Sequence, residues 1–492
     1  MILAVDIGTT RVKASLFDPE GRCAGLAAVE LTESTSNSYN EVDARLWLRA
    51  LSDISSQLLS ESVRRELNAI VVSGNGPTIL PIDARGEPLA NAITWLDRRA
   101  QEEAKEASVA LSYPLDAAFN LPKILWLRRH SPQVYASSRF FVSCPEFVIG
   151  HLTGEWTTCL PNEGYTRIIW DAVALEALSL ETEKFPPFAG IGEIVGRVRA
   201  SAADEFGLPQ GLPVVMGGPD FIASLLGTAT VRPGRTCDKG GTSEGINLCS
   251  EKDTGDAGAL LVMPHVVKPY FNISGVISTS GKALSWFKSR FSPAEDFDAT
   301  YRRVAATKPG AGGLVFLPYL AGERSPHWDP DARGVFLGLG LHHDLGMMER
   351  AVLEGTAFAM REVLDVMETA GARVEDMRAT GMPSLSPVWN QIKADITGKR
   401  VMVSDFSEPE LAGCLAIGRF ALGEESSLAA AAERVFVPAH IFEPHKEMAP
   451  MYDDLFAIYL ESYRRLAGLF PAVSKLQRQM EVPVRHVEEV EP

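Results

Sequence analysis

Asp6 lies in the apolar run AVDI and is followed at once by Gly8-Thr9-Thr10 and by a second run, RVKASLF, in which apolar and polar residues alternate. A carboxylate inside a buried strand is costly unless a cation or a donor faces it. Its position therefore suggests chemistry. The pattern predicts a hairpin whose turn uses Gly8 for a positive φ and for close approach of backbone N–H groups to an anion. Thr9 and Thr10 add hydroxyl donors, and Asp6 could hold a hydrated Mg²⁺ ion. No G-x-x-x-x-G-K-[ST] run leading into a helix is present, so this is not a Walker A loop. The plainer alternative is an ordinary hairpin turn, and the motif alone does not choose.

A later run, TCDKGGTSEGINLC, repeats the order of strand, turn and strand, with Gly241, Thr242 and Ser243 in the turn. Asp238 and Lys239 beside it read as part of a plain turn. Asp220 closes a third pattern, in which a strand over Gly211–Met216 runs through Gly217-Gly218-Pro219 into a small, apolar, helical stretch from Ile222. Side chains at such corners face the crevice where ligands bind in open α/β sheets. The plainer role for Asp220 is a helix N-cap.

The elements that must hold these residues alternate in an α/β texture. Asp43–Leu59 has helical spacing, Leu67–Ser73 reads as a strand, Asn75-Gly76-Pro77 as a loop and Ala84–Glu87 as a tight turn. Asp344–Ala370 is the clearest helix, with Asp344 as N-cap and Gly371 as stop; Glu410–Leu422 and Leu455–Leu469 are also helical. Glu488–Pro492 reads as a frayed acidic tail. At 492 residues the chain exceeds one compact core. The repeated hairpin then places a boundary near Pro233-Gly234 and predicts two related domains, 1–233 and 234–492.

Lys and Arg total 47 against 63 Asp and Glu, a net charge of −16 that repels nucleic acid and acidic membranes and leaves small molecules as the expected partners. Hydrophobic residues at 46% and charged residues at 22% exclude a largely disordered or collagen-like chain. No apolar run reaches the length of a membrane span, and Met1 leads into a strand rather than a basic and apolar leader, so a cytoplasmic location is expected. The six cysteines form no C-x-x-C pair and are expected as buried, reduced thiols.

Seven segments then fall into a recognisable series: DIGTT, WLDRR, KILWLRRH, GGPD, GGTS, LPYLAGERSPHWDPDARGVFLGL and SPVWNQIKADITGK. Together they resemble the FGGY carbohydrate kinases over nearly the whole chain, with the xylulokinases as the most similar branch. The resemblance implies two actin-like (RNase H-like) ATPase domains with a nucleotide and sugar cleft between them. It implies phosphorylation, by ATP with Mg²⁺, of a hydroxyl on a small ketose or polyol, xylulose being the first guess.

By that resemblance Asp220 is the catalytic base, Asp6 holds the metal, and Gly8, Thr9, Thr10, Gly241, Thr242 and Ser243 lie at the phosphates, with domain closure excluding water. Asp97 and Arg99 fall in a segment that contacts substrate in similar kinases; their plainer role is a surface salt bridge at a helix start. Trp95 is expected in the core, and Glu323, Arg324 and His327 as braces.

Two segments depart from the family pattern. Asn75-Gly76-Pro77 stands where xylulokinases usually carry Gln-Met-His, so Asn75 and Gly76 occupy substrate positions while Pro77 cannot donate. Gly381-Met382-Pro383-Ser384 stands where relatives usually carry Gly-Gly, and Met382 either stacks on adenine or crowds it. The alternatives are a kinase for ribulose, glycerol, erythritol, fuculose or a sugar acid, or a silent sugar- or nucleotide-binding regulator. No nucleic-acid or membrane partner is expected, and a homodimer is compatible with this reading.

Overall fold

The computed structural model describes residues 1–31, 40–167, 169–255 and 259–480; the expected acidic tail lies outside them. The chain packs as two units, one of Met1–Ala229 with Pro409–Phe436 and one of Thr230–Glu408 with Val437–Pro492.

The first unit is built on a six-stranded sheet in the spatial order Ile194–Arg197, Pro213–Pro219, Ala69–Gly74, Ile2–Ile7, Arg11–Phe17, Cys23–Glu30. The three strands from Ile2 to Glu30 form an antiparallel meander, and the Ala69–Gly74 and Pro213–Pro219 strands join it in parallel. Parallel strands are covered on both faces and read as continuous apolar runs. Accordingly Ile2–Ile7 and Ala69–Gly74 are buried at every residue, the Asp6 side chain included.

The second unit repeats this order. Phe271–Ile277, Glu244–Ser250 and Arg235–Gly240 are antiparallel, Asp376–Thr380 and Arg400–Ser404 join in parallel, and Pro438–Phe442 closes antiparallel, with Leu261–Pro264 added at the other edge. The helix Leu345–Thr369 begins, as its sequence predicts, on Asp344, whose side chain accepts the Met347 N–H at 2.9 Å. Gly371, at φ 91°, lies just past its end. Buried residues occur on all its faces, which is how a helix through the middle of a core reads. Among the described residues no helix is long and apolar enough to cross a membrane.

Several sequence expectations are corrected. Gly8 does not adopt a positive φ; a Cβ there would meet Arg11 O at 2.6 Å, so close approach is what requires glycine. Asp238 and Lys239 are not in a turn but in the Arg235–Gly240 strand. Cys23 is exposed, unlike the other cysteines, because it opens the sheet's edge strand. Trp95 is not core: it is 38% exposed, and its indole N–H donates to Thr9 Oγ1 at 3.1 Å. The pair Asp97 and Arg99 is not a surface salt bridge, since both side chains are almost fully enclosed.

Two helices meet at unusual proximity within the first unit. A Cβ on Gly227, in the helix Asp220–Gly227, would collide with Pro409 O, and one on Gly413, in the helix Pro409–Ala421, would collide with Ala223 O. Reciprocal glycines let the two backbones touch. The second helix also lies on the Ile2–Ile7 strand, where Cys414 Sγ approaches Val5 O at 3.8 Å.

Candidate active site

In the hairpin register Asp6 pairs with Lys13 across the first two strands. Lys13 Nζ lies 4.0 Å from Asp6 Oδ2 and 3.6 Å from Glu410 Oε2, all three side chains being largely buried. The alternation of RVKASLF could have placed Lys13 opposite Asp6; Glu410 comes from far along the chain and carries no local signal. Ser224 Oγ reaches both Asp220 O, at 2.9 Å, and Glu410 Oε1, at 3.3 Å, linking the starts of the two touching helices.

Asp220 is the first residue of its helix rather than the N-cap, a place taken by Pro219. Its Oδ1 accepts the Phe221 N–H at 2.7 Å, and the side chain stays partly exposed at the positive end of the helix dipole. The approach to it is bent on purpose. The pairing of Pro213–Pro219 slips between Met216 and Gly218, and Gly218 takes φ 75°. A Cβ on Gly217 would meet Val72 O at 2.5 Å. Burial, then the charges of Asp220, Asp6 and Glu146, push the Cys144 thiol well above its ordinary pKa.

Asn75 closes the loop after the Ala69–Gly74 strand. Its Nδ2 donates to Ile7 O at 2.9 Å, and its Oδ1 accepts from Thr78 Oγ1 at 2.5 Å. Gly76 and Pro77 follow, and Lys123 fixes them from below. Fully buried, Lys123 donates from Nζ to Pro77 O and Thr94 O, each at 2.9 Å, so one ammonium ties the 75–77 loop to the Trp95–Arg99 segment. Burial brings its pKa down to about 7, against the opposing pull of Asp97 and Asp116. A lone lysine in the apolar stretch KILWL was the available signal.

Asp97 accepts from Arg99 Nε at 2.9 Å, from Arg99 NH2 at 2.7 Å and from the Asn40 N–H at 3.2 Å. Arg99 NH2 also meets Glu41 Oε1 at 2.7 Å, and the guanidinium covers the Trp126 ring at 4.8 Å. Burial raises the Asp97 carboxyl, but hydrogen bonds and charge from Arg99 outweigh it and leave it below its ordinary value. The result is a rigid polar cluster anchored to the first hairpin through Trp95.

The second unit carries the other hairpin. Gly241, Thr242 and Ser243 join strands whose last pair is Gly240 and Glu244. The turn is held by the start of the helix Gly281–Phe291: Gly281 N donates to Gly241 O at 2.9 Å and Ser280 N to Thr242 O at 3.1 Å. Gly381, at φ 79°, lies against the same hairpin, where a Cβ would collide with Gly240 O. Met382 follows with 56% of its surface exposed. Glu323 accepts the Ser278 and Arg324 N–H groups, each at 2.7 Å, and His327 stacks on Tyr463 with ring centres 3.6 Å apart. These contacts suit a brace.

A profile of the FGGY family of carbohydrate kinases matches this chain twice, its N-terminal domain over residues 1–227 and its C-terminal domain over 239–422. The chain belongs to the FGGY family of carbohydrate kinases. It is an ATP-dependent sugar kinase with the family's two-domain, actin-like ATPase fold, acting on a small-molecule sugar. A xylulose kinase of Bacillus subtilis (strain 168) is 27% identical over 496 residues, covering 97% of this kinase and 99% of the relative. A gluconokinase of the same organism is 25% identical, covering 97% and 98%. The crystal structure of a xylulose kinase from Rhodospirillum rubrum superimposes with a TM-score of 0.83 at 26% identity, covering 95% of this kinase and 99% of that chain.

Proposed function

We propose that this kinase transfers the γ-phosphoryl group of ATP to a hydroxyl of a small ketose, with xylulose as first substrate. The observation that supports the substrate is similarity over nearly the full chain to xylulose kinases, in sequence and in fold. Phosphoryl transfer needs positioning and charge stabilisation more than covalent help. Asp220 takes the hydroxyl proton as the oxygen–phosphorus bond forms and the bond to the ADP oxygen breaks. Gly8, Thr9 and Thr10 in one hairpin, and Gly241, Thr242 and Ser243 in the other, are the phosphate-binding residues. Gly381 and Met382 lie beside the base, Met382 offering soft apolar surface. The glycines at 240, 281 and 381 let the hairpin, the helix start and the Gly381–Met382 segment pack backbone against backbone, which fixes the turn proposed to meet the phosphates.

Among the described residues no group of His, Cys, Asp and Glu large enough to cage a metal occurs. A Mg²⁺ ion would thus be held by Asp6 through water and by the nucleotide's own oxygens, the usual mode for this ion. Bound there, it would neutralise charge on the phosphates. In this reading the unit of Met1–Ala229 with Pro409–Phe436 serves the sugar and the base, the other unit serves the nucleotide, and the enzyme works in the cytoplasm.

Asp97, Arg99, Asn75 and Gly76 shape the sugar end. Asp97→Ala raises the sugar KM about tenfold or more and leaves the ATP KM within about twofold, as loss of ground-state sugar contacts requires; steady-state kinetics showing an unchanged sugar KM reduces the cluster to a fold support. The whole reading is tested by following ADP release from Mg²⁺-ATP against ketopentoses, ketohexoses, tetritols, glycerol and sugar acids. Highest kcat/KM on xylulose is expected. Preference for a sugar acid would favour the second reading, a gluconokinase-like enzyme, which the B. subtilis relative supports. ATP binding with no turnover on any acceptor would leave a silent regulator.

A further inference from the structure

Directly beneath the second hairpin lies a wholly buried ionic cluster that the reaction does not use. Lys393 Nζ, from the helix Pro387–Thr397, contacts Asp238 Oδ2 at 2.7 Å and also Glu244 Oε1. Ser280 Oγ donates to the other Glu244 oxygen at 2.6 Å. Asp238 and Glu244 sit on the strands flanking the turn, Glu244 being the first residue after it. Burial, reinforced by Glu244, pushes the Asp238 carboxyl well above its ordinary pKa despite Lys393, whereas burial of Glu244 is outweighed by Lys393, which holds it below. One ammonium thus faces two carboxyl groups of opposite tendency, Glu244 the more readily ionised.

Such a cluster is a poor source of stability. Desolvation offsets most of its attraction, and well-packed apolar residues in its place are often neutral or better. What it supplies is geometry. Lys393 joins both strands of the hairpin to the helix whose approach is the Gly381–Ser386 segment, and Ser280 joins the same cluster to the helix start that holds Gly241 O and Thr242 O. We infer that Lys393, Asp238 and Glu244 form a positioning set that locks the 241–243 turn and the Gly381–Met382 segment into one arrangement and thereby sets nucleotide affinity.

This inference rests on the reading that both segments hold the nucleotide, and Thr242→Ala tests that reading separately by calorimetry with ADP. Glu244→Gln removes the charged link between Lys393 and the strand that follows the turn, and it raises the ATP KM and the ADP Kd about tenfold while kcat at saturation and the sugar KM stay within about twofold. Asp238→Asn keeps the shape and an oxygen facing Lys393, with Glu244 left as its anion, and raises both constants by no more than about threefold. An apolar replacement, Asp238→Val with Glu244→Leu and Lys393→Met, serves if Glu244→Gln does not fold; it folds and binds ADP about tenfold more weakly. A folded Glu244→Gln or apolar variant with wild-type ADP affinity overturns the inference. If Thr242→Ala binds ADP normally, the nucleotide reading itself fails; if Thr242→Ala weakens binding and Glu244→Gln does not, only the positioning role fails.

Discussion

Asp220→Asn lowers kcat by about a thousandfold or more and leaves the KM for ATP and for sugar within a few fold, roughly the range over which a positioned base acts. The substitution is close to a pure removal of basicity. The carboxamide oxygen still accepts the Phe221 N–H that Asp220 Oδ1 accepts now, so the helix start is kept while the proton acceptor is lost. Steady-state kinetics with varied ATP and sugar decides it. Turnover within tenfold of wild type would remove Asp220 from the chemistry and leave it a dipole-compensating residue at a helix end.

Gly413→Val destabilises the protein by about 3 kcal/mol, the upper part of the usual cost of overpacking. The reason is geometric: the first atom added collides with Ala223 O, and backbone, unlike a side-chain tip, cannot swing away. The two helices must separate. One carries Asp220 at its start and the other Glu410 near its own, with Ser224 bonded to both, so separation also displaces Asp220. Urea unfolding should show the loss, and kcat should fall in whatever fraction remains folded. A variant with wild-type stability would mean that the helices can part without consequence.

Much of this was legible in the chain. Gly-Thr turns between alternating runs marked both hairpins, and the spacing from Asp344 to Gly371 marked the longest helix. Periodicity and turn chemistry are local properties, and local properties can be read from a line of residues. The unread part was what distant segments do to one another. Trp95 looked apolar enough for the core until its N–H found Thr9, and Asp97 with Arg99 looked like surface charge until Glu41 and Trp126 enclosed them. Asp238 was assigned to a turn because a charged residue beside Gly-Gly suggests one, and only Lys393, 155 positions away, makes a buried strand place tolerable for it. Gly8 was rightly singled out for the wrong torsion.

The excursion of Pro409–Phe436 into the first unit has a consequence for synthesis. Domains generally fold as the chain emerges, N-terminal ones first. Here the unit that opens the chain lacks the helix lying on its first strand and on the Asp220 helix until residue 421 has been made, and is complete only at residue 436. Through the translation of the second unit, the nascent first unit would expose the apolar Asp220–Gly227 helix, with Gly227, and the face of the Ile2–Ile7 strand, a surface prone to aggregation. A fragment ending at Ala229 would be left permanently in that state.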